Sequence, residues 1–260
     1  MNQWLKYSIE YANQRASLDD LFRVYPVIPN GIRDVNMSIW EEVEAAFNAQ
    51  DNSRMLRALL RLDLFPIKDS YVAYLKRDPA AIERNPETVN RLCGRIYEMG
   101  LAKVWENSTQ PKETNRQMGP RFMEWLRRGC LGIRPVCLEE FVCTSGNAIL
   151  DAGDQTMKEF ASAELGYKHK KGLDFIGRFN GKYVIGEAKF LTDLGGHQNA
   201  QFNDAMGTLT CECDGAIKVA ILDGVVYIPG DHHMYTSVCG TYAKNNIMSA
   251  LVLREFLYQL

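Results

Sequence analysis

"GLDFIGRFNGKYVIGEAKF", Gly172 to Phe190, is the stretch on which the reading of this chain turns. Two apolar runs flank Asn180-Gly181. Asn-Gly in that setting is the strongest short-range hairpin signal, because both central residues of a type I′ turn need positive φ. With those two residues at the turn, Phe179 faces Lys182, Arg178 faces Tyr183 and Ile176 faces Ile185. The same register puts Asp174 opposite Glu187. Side chains alternate across a strand, so Lys189 shares the face of Glu187. Directly opposed residues have Cβ atoms roughly 5 Å apart, and two carboxylates that close repel unless a cation lies with them.

A divalent cation resolves that conflict. Mg²⁺ takes oxygen ligands, commonly one or two carboxylates, and Mn²⁺ can substitute for it. Such an ion polarises a phosphoryl oxygen and lowers the pKa of bound water, while a neighbouring lysine orients or deprotonates that water and offsets developing charge. Asp174, Glu187 and Lys189 therefore suit metal-assisted phosphodiester hydrolysis. The alternative is a solvent-facing hairpin edge on which Glu187 and Lys189 form an ordinary surface ion pair.

Outward from the hairpin, "NAILDAGDQTMKEFASAELGY" predicts a turn with Asp154 as N-cap, a short helix to Glu164 and a glycine stop. After it come the amide-rich "DLGGHQNAQFNDAMGTL", a strand pair in "AIKVAILDGVVYI" and a closing helix in "NNIMSALVLREFLYQL". From Met1 to about Gly129 the pattern is mainly helical. "SIWEEVEAAFNAQ" begins at a serine cap, "SRMLRALLRLDLF" continues in the same manner, and "NPETVNRLCGRIYEMGLAKVW" has Pro86 near its first turn. "NRQMGPRFMEWLRRG" predicts a further helix ending near Gly129. Helices around a small mixed sheet give an α/β or α+β fold. The expected division is a helical region over 1–130, for DNA binding or dimerisation, and a catalytic core over 131–260.

Composition sets the outer limits. At 260 residues, 46% hydrophobic and 24% charged, the chain can bury a substantial core, and long disorder is not expected. A net charge of −2 argues against a surface coated in basic residues. Local basic segments remain: Lys112 to Arg134 carries six basic against two acidic residues, and "YKHKK" runs from Tyr167 to Lys171. The N-terminus has no secretory pattern and no apolar run approaches a membrane span, so a cytoplasmic location without membrane is expected. Seven scattered cysteines do not form a disulfide framework, and Cys211 and Cys213 lack the second pair that a zinc site needs.

The segment from about Asp154 to Val226 resembles the core of the PD-(D/E)xK nuclease superfamily, in which a helix precedes a hairpin carrying the first Asp and the (D/E)xK triplet. Leu173 stands where that pattern often has proline. The resemblance implies that Asp174 and Glu187 bind the metal together with the Ala188 carbonyl, and that Lys189 acts on the attacking water. It also implies an acid from the preceding helix, Glu159 or Glu164, of which Glu159 is favoured because Glu164 sits at the helix end.

The overall organisation most resembles type II restriction endonucleases. That likeness implies Mg²⁺-dependent, sequence-specific hydrolysis of double-stranded DNA by a homodimer, since symmetric duplex sites match two-fold protein symmetry. A repair or structure-selective nuclease on the same core is the alternative enzyme, and an inactive DNA-binding module the alternative of another class. Expected DNA contacts are Arg116, Gln117, Lys170 and Lys171, with Gln198, Asn199, Gln201 and Asn203 offering amides suited to base edges or to the backbone. His197, beside two glycines, reads as a loop residue.

Overall fold

The computed structural model describes residues 1–26, 33–111 and 118–260. Contacts divide the chain into two compact units, Ile28–Lys112 and a larger one formed by Met1–Val27 with Glu113–Leu260. The units therefore part inside the N-terminal half at two places, rather than once near residue 130. The reason lies in the apolar faces of the outer helices. Trp4, Leu21, Val24, Phe122 and Leu126 are buried in the same cluster as the sheet residues Phe175, Phe179 and Val184.

Helices α1 (Gln3–Ala12) and α2 (Ser17–Val24) begin the larger unit. The smaller unit holds α3 (Met37–Asn48), α4 (Asn52–Arg61), α5 (Val72–Arg77), α6 (Ala81–Arg84) and α7 (Pro86–Ser108). Its core is built from Trp40, Val43, Leu56, Leu59, Leu92 and Ile96 among others, with Trp40 and Trp105 meeting edge to face at 4.8 Å. The cap of α3 is Asn36, whose side chain accepts from the N–H groups of Ser38 and Ile39, so the helix starts before the serine that the sequence pointed to. Pro86 does open α7, which breaks at Gly100, where φ is +74°.

The chain returns to the larger unit through α8 (Met118–Arg127), α9 (Leu138–Cys143), β1 (Ala148–Ile149) and α10 (Asp154–Glu164). The cap of α10 is Gly153, and Asp154 is already inside the first turn. Then come β2 (Phe175–Phe179), β3 (Lys182–Leu191), α11 (Gly196–Thr210), β4 (Ile217–Gly224), α12 (His233–Cys239), β5 (Ile247–Met248) and α13 (Ala250–Tyr258). The amide-rich stretch is thus a fifteen-residue helix. The expected strand pair after it is one strand, since Val225–Tyr227 turns as a 3₁₀ helix. Gly224 marks that bend. Its φ is +92°, and a Cβ there would overlap the Leu191 carbonyl oxygen.

The five strands lie in the order β1-β2-β3-β4-β5, with β1, β2 and β3 antiparallel and β3, β4 and β5 parallel. The hairpin register is the one its turn dictates: Ile176 pairs with Ile185, Arg178 with Tyr183 and Phe179 with Lys182. Asn180 and Gly181 both have positive φ, +50° and +77°. One face of the sheet packs on α2, α8 and α13. On the other, Ile176 and Ile185 pack on α9 and α10, while Leu191, Ala220 and Leu222 pack on α11 and α12. The result is a mixed α/β chain, an α+β fold with helices on both sides of a mixed sheet. Among the described residues no helix is long and apolar enough to cross a membrane.

Candidate active site

Glu187 and Lys189 stand two residues apart on β3, on the face that α11 covers, and Asp174 immediately precedes β2. The last Cα pair of the hairpin is Phe175 with Gly186, and the Asp174 N–H donates to the Gly186 carbonyl at 3.1 Å. The backbone of Asp174 therefore meets Gly186, one residue short of the partner that a straight extension of the register gives. The side chains converge all the same. Lys189 Nζ lies 2.8 Å from Asp174 Oδ2 and 2.7 Å from Glu187 Oε1, and the Ala188 N–H donates to Asp174 Oδ2 at 3.0 Å.

Glu187 is 7% exposed, and its second oxygen, Oε2, is buried with no hydrogen-bond partner among the described residues. Burial first, and then the charge of Asp174, push its carboxyl up to about 7. Burial pulls the Lys189 ammonium the other way, toward the neutral form, but Asp174 and Glu187 outweigh it and its pKa is raised. The two shifts agree physically. Two acids share one cation, so the ammonium keeps its proton, and the buried Glu187 takes one up more readily than a free carboxyl does.

The remaining predicted residues are distributed as follows. Glu159 is exposed on α10 and accepts a hydrogen bond from Gln155 Nε2 at 2.7 Å, and Glu164 is exposed at the end of the same helix. The acid whose charge does act on Glu187, after Asp174, is Asp204 on α11. Asp204 is ion-paired to Lys171 at 3.0 Å. Sequence reading passed over it, although it sits among the amides of the same helix, beside the buried Phe202, Ala205 and Met206 that seat α11 on the sheet. Among the described residues no three His, Cys, Asp or Glu side chains converge as a metal-binding group.

Lys170 is exposed, and its carbonyl accepts from Lys158 Nζ at 2.9 Å. Gln198 is buried, and its Oε1 accepts the Thr192 N–H at 3.3 Å, so it braces the exit of β3 rather than facing outward. Asn199 is half-buried and donates to the Leu194 carbonyl at 3.4 Å. The Gln201 amide lies 3.2 Å from His197 Nε2, and Asn203 is exposed. His197 itself stands in the first turn of α11, not in a loop. Arg116 and Gln117 lie outside the described residues. Arg178, which shares the face of Glu187, is a structural cation: it donates to the carbonyls of Gly146 and Phe141 and to Thr144 Oγ1 at 2.8–2.9 Å.

Fold and site together define a class: a mixed α/β protein whose hairpin carries two acids and a lysine gathered at one point, a donor set suited to phosphodiester chemistry. The family model of the Tsp45I type II restriction enzymes matches residues 2–260, and the chain belongs to that family. Membership makes it a type II restriction endonuclease, a hydrolase that cleaves DNA. No curated protein and no solved structure matches the chain.

Proposed function

We propose that Asp174, Glu187 and Lys189 form the catalytic centre, that it works with Mg²⁺, for which Mn²⁺ substitutes, as a PD-(D/E)xK nuclease, and that a homodimer cuts specific sites in double-stranded DNA. The observation that carries this reading is the state of Glu187. A carboxylate at 7% exposure, with one oxygen unpartnered among the described residues and its charge only half-compensated by a shared lysine, is an unstable arrangement for a purely structural group. A hard divalent cation fits that deficit, because the site has surplus negative charge and offers oxygen donors only. Asp174, Glu187 and the Ala188 carbonyl are the groups that would hold it. When bound, it supplies polarisation of a phosphoryl oxygen and an acidified water.

The residues of the chain do the rest. The Ala188 N–H fixes the Asp174 carboxylate before any ligand arrives, which removes reorganisation from the binding step. Lys189 Nζ, held 2.7–2.8 Å from both acids, is placed to act on the attacking water and to neutralise charge growing on the phosphoryl oxygens. Glu159 is left out of this set, being exposed and bonded to Gln155. Lys170, Lys171, Asn199, Gln201 and Asn203, with Arg116 and Gln117, remain the groups proposed to touch DNA. Digestion of a plasmid of known sequence tests the whole: discrete, reproducible fragments are expected with Mg²⁺, none with EDTA, and none from Glu187→Ala. Fragments that persist in EDTA, or a normal rate from Glu187→Ala, would sink the reading.

A further inference from the structure

A cavity of about 460 Å³ lies on the other side of β3 from the catalytic side chains. Phe190 is part of its wall, and because side chains alternate along a strand it points away from the face of Glu187 and Lys189. Leu21, Val225 and Leu251 add apolar surface, and a few polar groups stand among them. Size and lining are those of a small-molecule site.

Most of the polar groups around the cavity are bonded inside the fold. Ser8 donates to the Trp4 carbonyl at 2.8 Å and accepts the Ser249 N–H at 2.9 Å, Ser17 donates to the Ala12 carbonyl at 3.0 Å, and Tyr11 donates to Asp20. Asn13 Nδ2 donates to the carbonyls of Ile9 and Tyr227 at 2.7 and 3.3 Å. Tyr227 is the exception. It lines the cavity at 2% exposure, and its hydroxyl is buried with no hydrogen-bond partner among the described residues. The hydroxyl that bears on it, Ser8, already has its proton and an acceptor position in use. A buried hydroxyl left unbonded costs its full desolvation, and an acceptor brought into the cavity offsets that cost.

The one acid in the wall limits the charge of what enters. Asp223 is buried, accepts from the Tyr25 hydroxyl at 2.9 Å, from Ser249 Oγ and from the Ala250 N–H at 3.2 Å, and pairs with no cation among the described residues. Burial pushes its carboxyl up to about 7, so the site already disfavours one negative charge and an anionic ligand would add a second. A cation gains little, because donors of the fold already occupy both Asp223 oxygens. We infer that this cavity is a binding site for a small uncharged molecule with an apolar, ring-bearing body and one hydrogen-bond acceptor, which takes the proton of the Tyr227 hydroxyl. The site is independent of the catalytic reading above.

The test is ligand-observed NMR and thermal unfolding of the full chain with acetophenone as the probe, ethylbenzene as the same shape without an acceptor, and benzoate and benzylamine as charged counterparts. Wild type is expected to bind acetophenone saturably at millimolar concentration, ethylbenzene about threefold to tenfold more weakly, and neither ion measurably. Tyr227→Phe should bring acetophenone down to the level of ethylbenzene and leave the melting temperature unchanged or higher, since the atom removed has no partner in the fold. Ala12→Phe, which fills the hollow, should abolish binding of both; should that variant fail to fold, Tyr227→Phe alone decides. Acetophenone that does not saturate wild type, or binds Tyr227→Phe or a folded Ala12→Phe as it binds wild type, would overturn the inference. So would tighter binding of benzoate or benzylamine, or a lower melting temperature for Tyr227→Phe, which would mean that the hydroxyl is bonded within the fold.

Discussion

Glu187→Gln removes one charge from the centre and keeps its shape, which makes the consequence calculable. In the folded chain, burial and Asp174 raise this carboxyl from 4.5 to about 7. A folded pKa above the unfolded one means that folding opposes ionisation. Below pH 4.5 the group is protonated in both states and costs nothing. Between 4.5 and 7 the unfolded chain ionises first and stability falls as pH rises, and above 7 the whole penalty is present, about 3 kcal/mol. Glutamine never carries the charge, though it also weakens the 2.7 Å contact with Lys189. The variant should therefore be more stable than wild type by roughly 1–3 kcal/mol at pH 8 without metal, and no more stable at pH 4.5. For a chain of this size that is on the order of 2–10 °C in the transition of the sheet-containing unit. Calorimetry in EDTA at pH 4.5, 6 and 8 measures it and separates the transitions of the two units. Excess Mg²⁺ should then raise the wild-type transition and leave the variant nearly unmoved, since a ligand stabilises only the state that binds it. A stability difference that does not change with pH, or a variant less stable than wild type at pH 8, would refute the account of Glu187 as a buried, under-compensated acid.

Other substitutions probe neighbouring parts of the structure. Lys189→Ala removes the cation that Asp174 and Glu187 share, so the metal-free protein should lose about 1–3 kcal/mol at pH 8 and less at pH 4.5, while single-turnover cleavage falls by roughly 10²–10³-fold; denaturant titration and quench-flow on a duplex site read the two effects. Arg178→Met strips the donors from two carbonyls and a hydroxyl in a buried setting, and urea unfolding should give a loss of about 2–4 kcal/mol with no specific change in metal response. Gly181→Ala forces a Cβ onto a residue at φ +77°; a loss of about 1–2 kcal/mol is expected, and an unchanged midpoint would mean that the hairpin turn tolerates side chains there.

Much of the hairpin could be read from the chain because the forces that shape it are local. Asn180-Gly181 demands positive φ at adjacent residues, the turn fixes the register, and alternation then carries Glu187 and Lys189 to one face without knowledge of anything else. The helices α4, α7 and α8 were legible for the same kind of reason, a periodic apolar face and a recognisable start or stop. The cap residues were less so. Asn36 and Gly153 took positions assigned to Ser38 and Asp154, since neighbouring residues compete for a cap within fractions of a kcal/mol.

What the sequence determined alone was therefore the hairpin, its register, the face shared by the acid and the lysine, and the helical texture on either side. Only tertiary structure decided the rest. The amide-rich stretch became α11 because Phe202, Ala205, Met206 and Leu209 find the sheet, and Gln198 turned inward to brace Thr192. The chain bent after Gly224 because the Leu191 carbonyl lies against it, 33 residues away in sequence. The first two helices joined the sheet unit through Trp4 and Leu21, which share a cluster with sheet residues more than a hundred positions downstream. The role of Lys189 as counter-ion to both acids, and the lifted pKa of Glu187, came from burial, a property of how layers close over a strand and not of the strand itself. Short-range dihedral and hydrogen-bond preferences are written residue by residue, whereas desolvation and close approach depend on every segment that packs against the site.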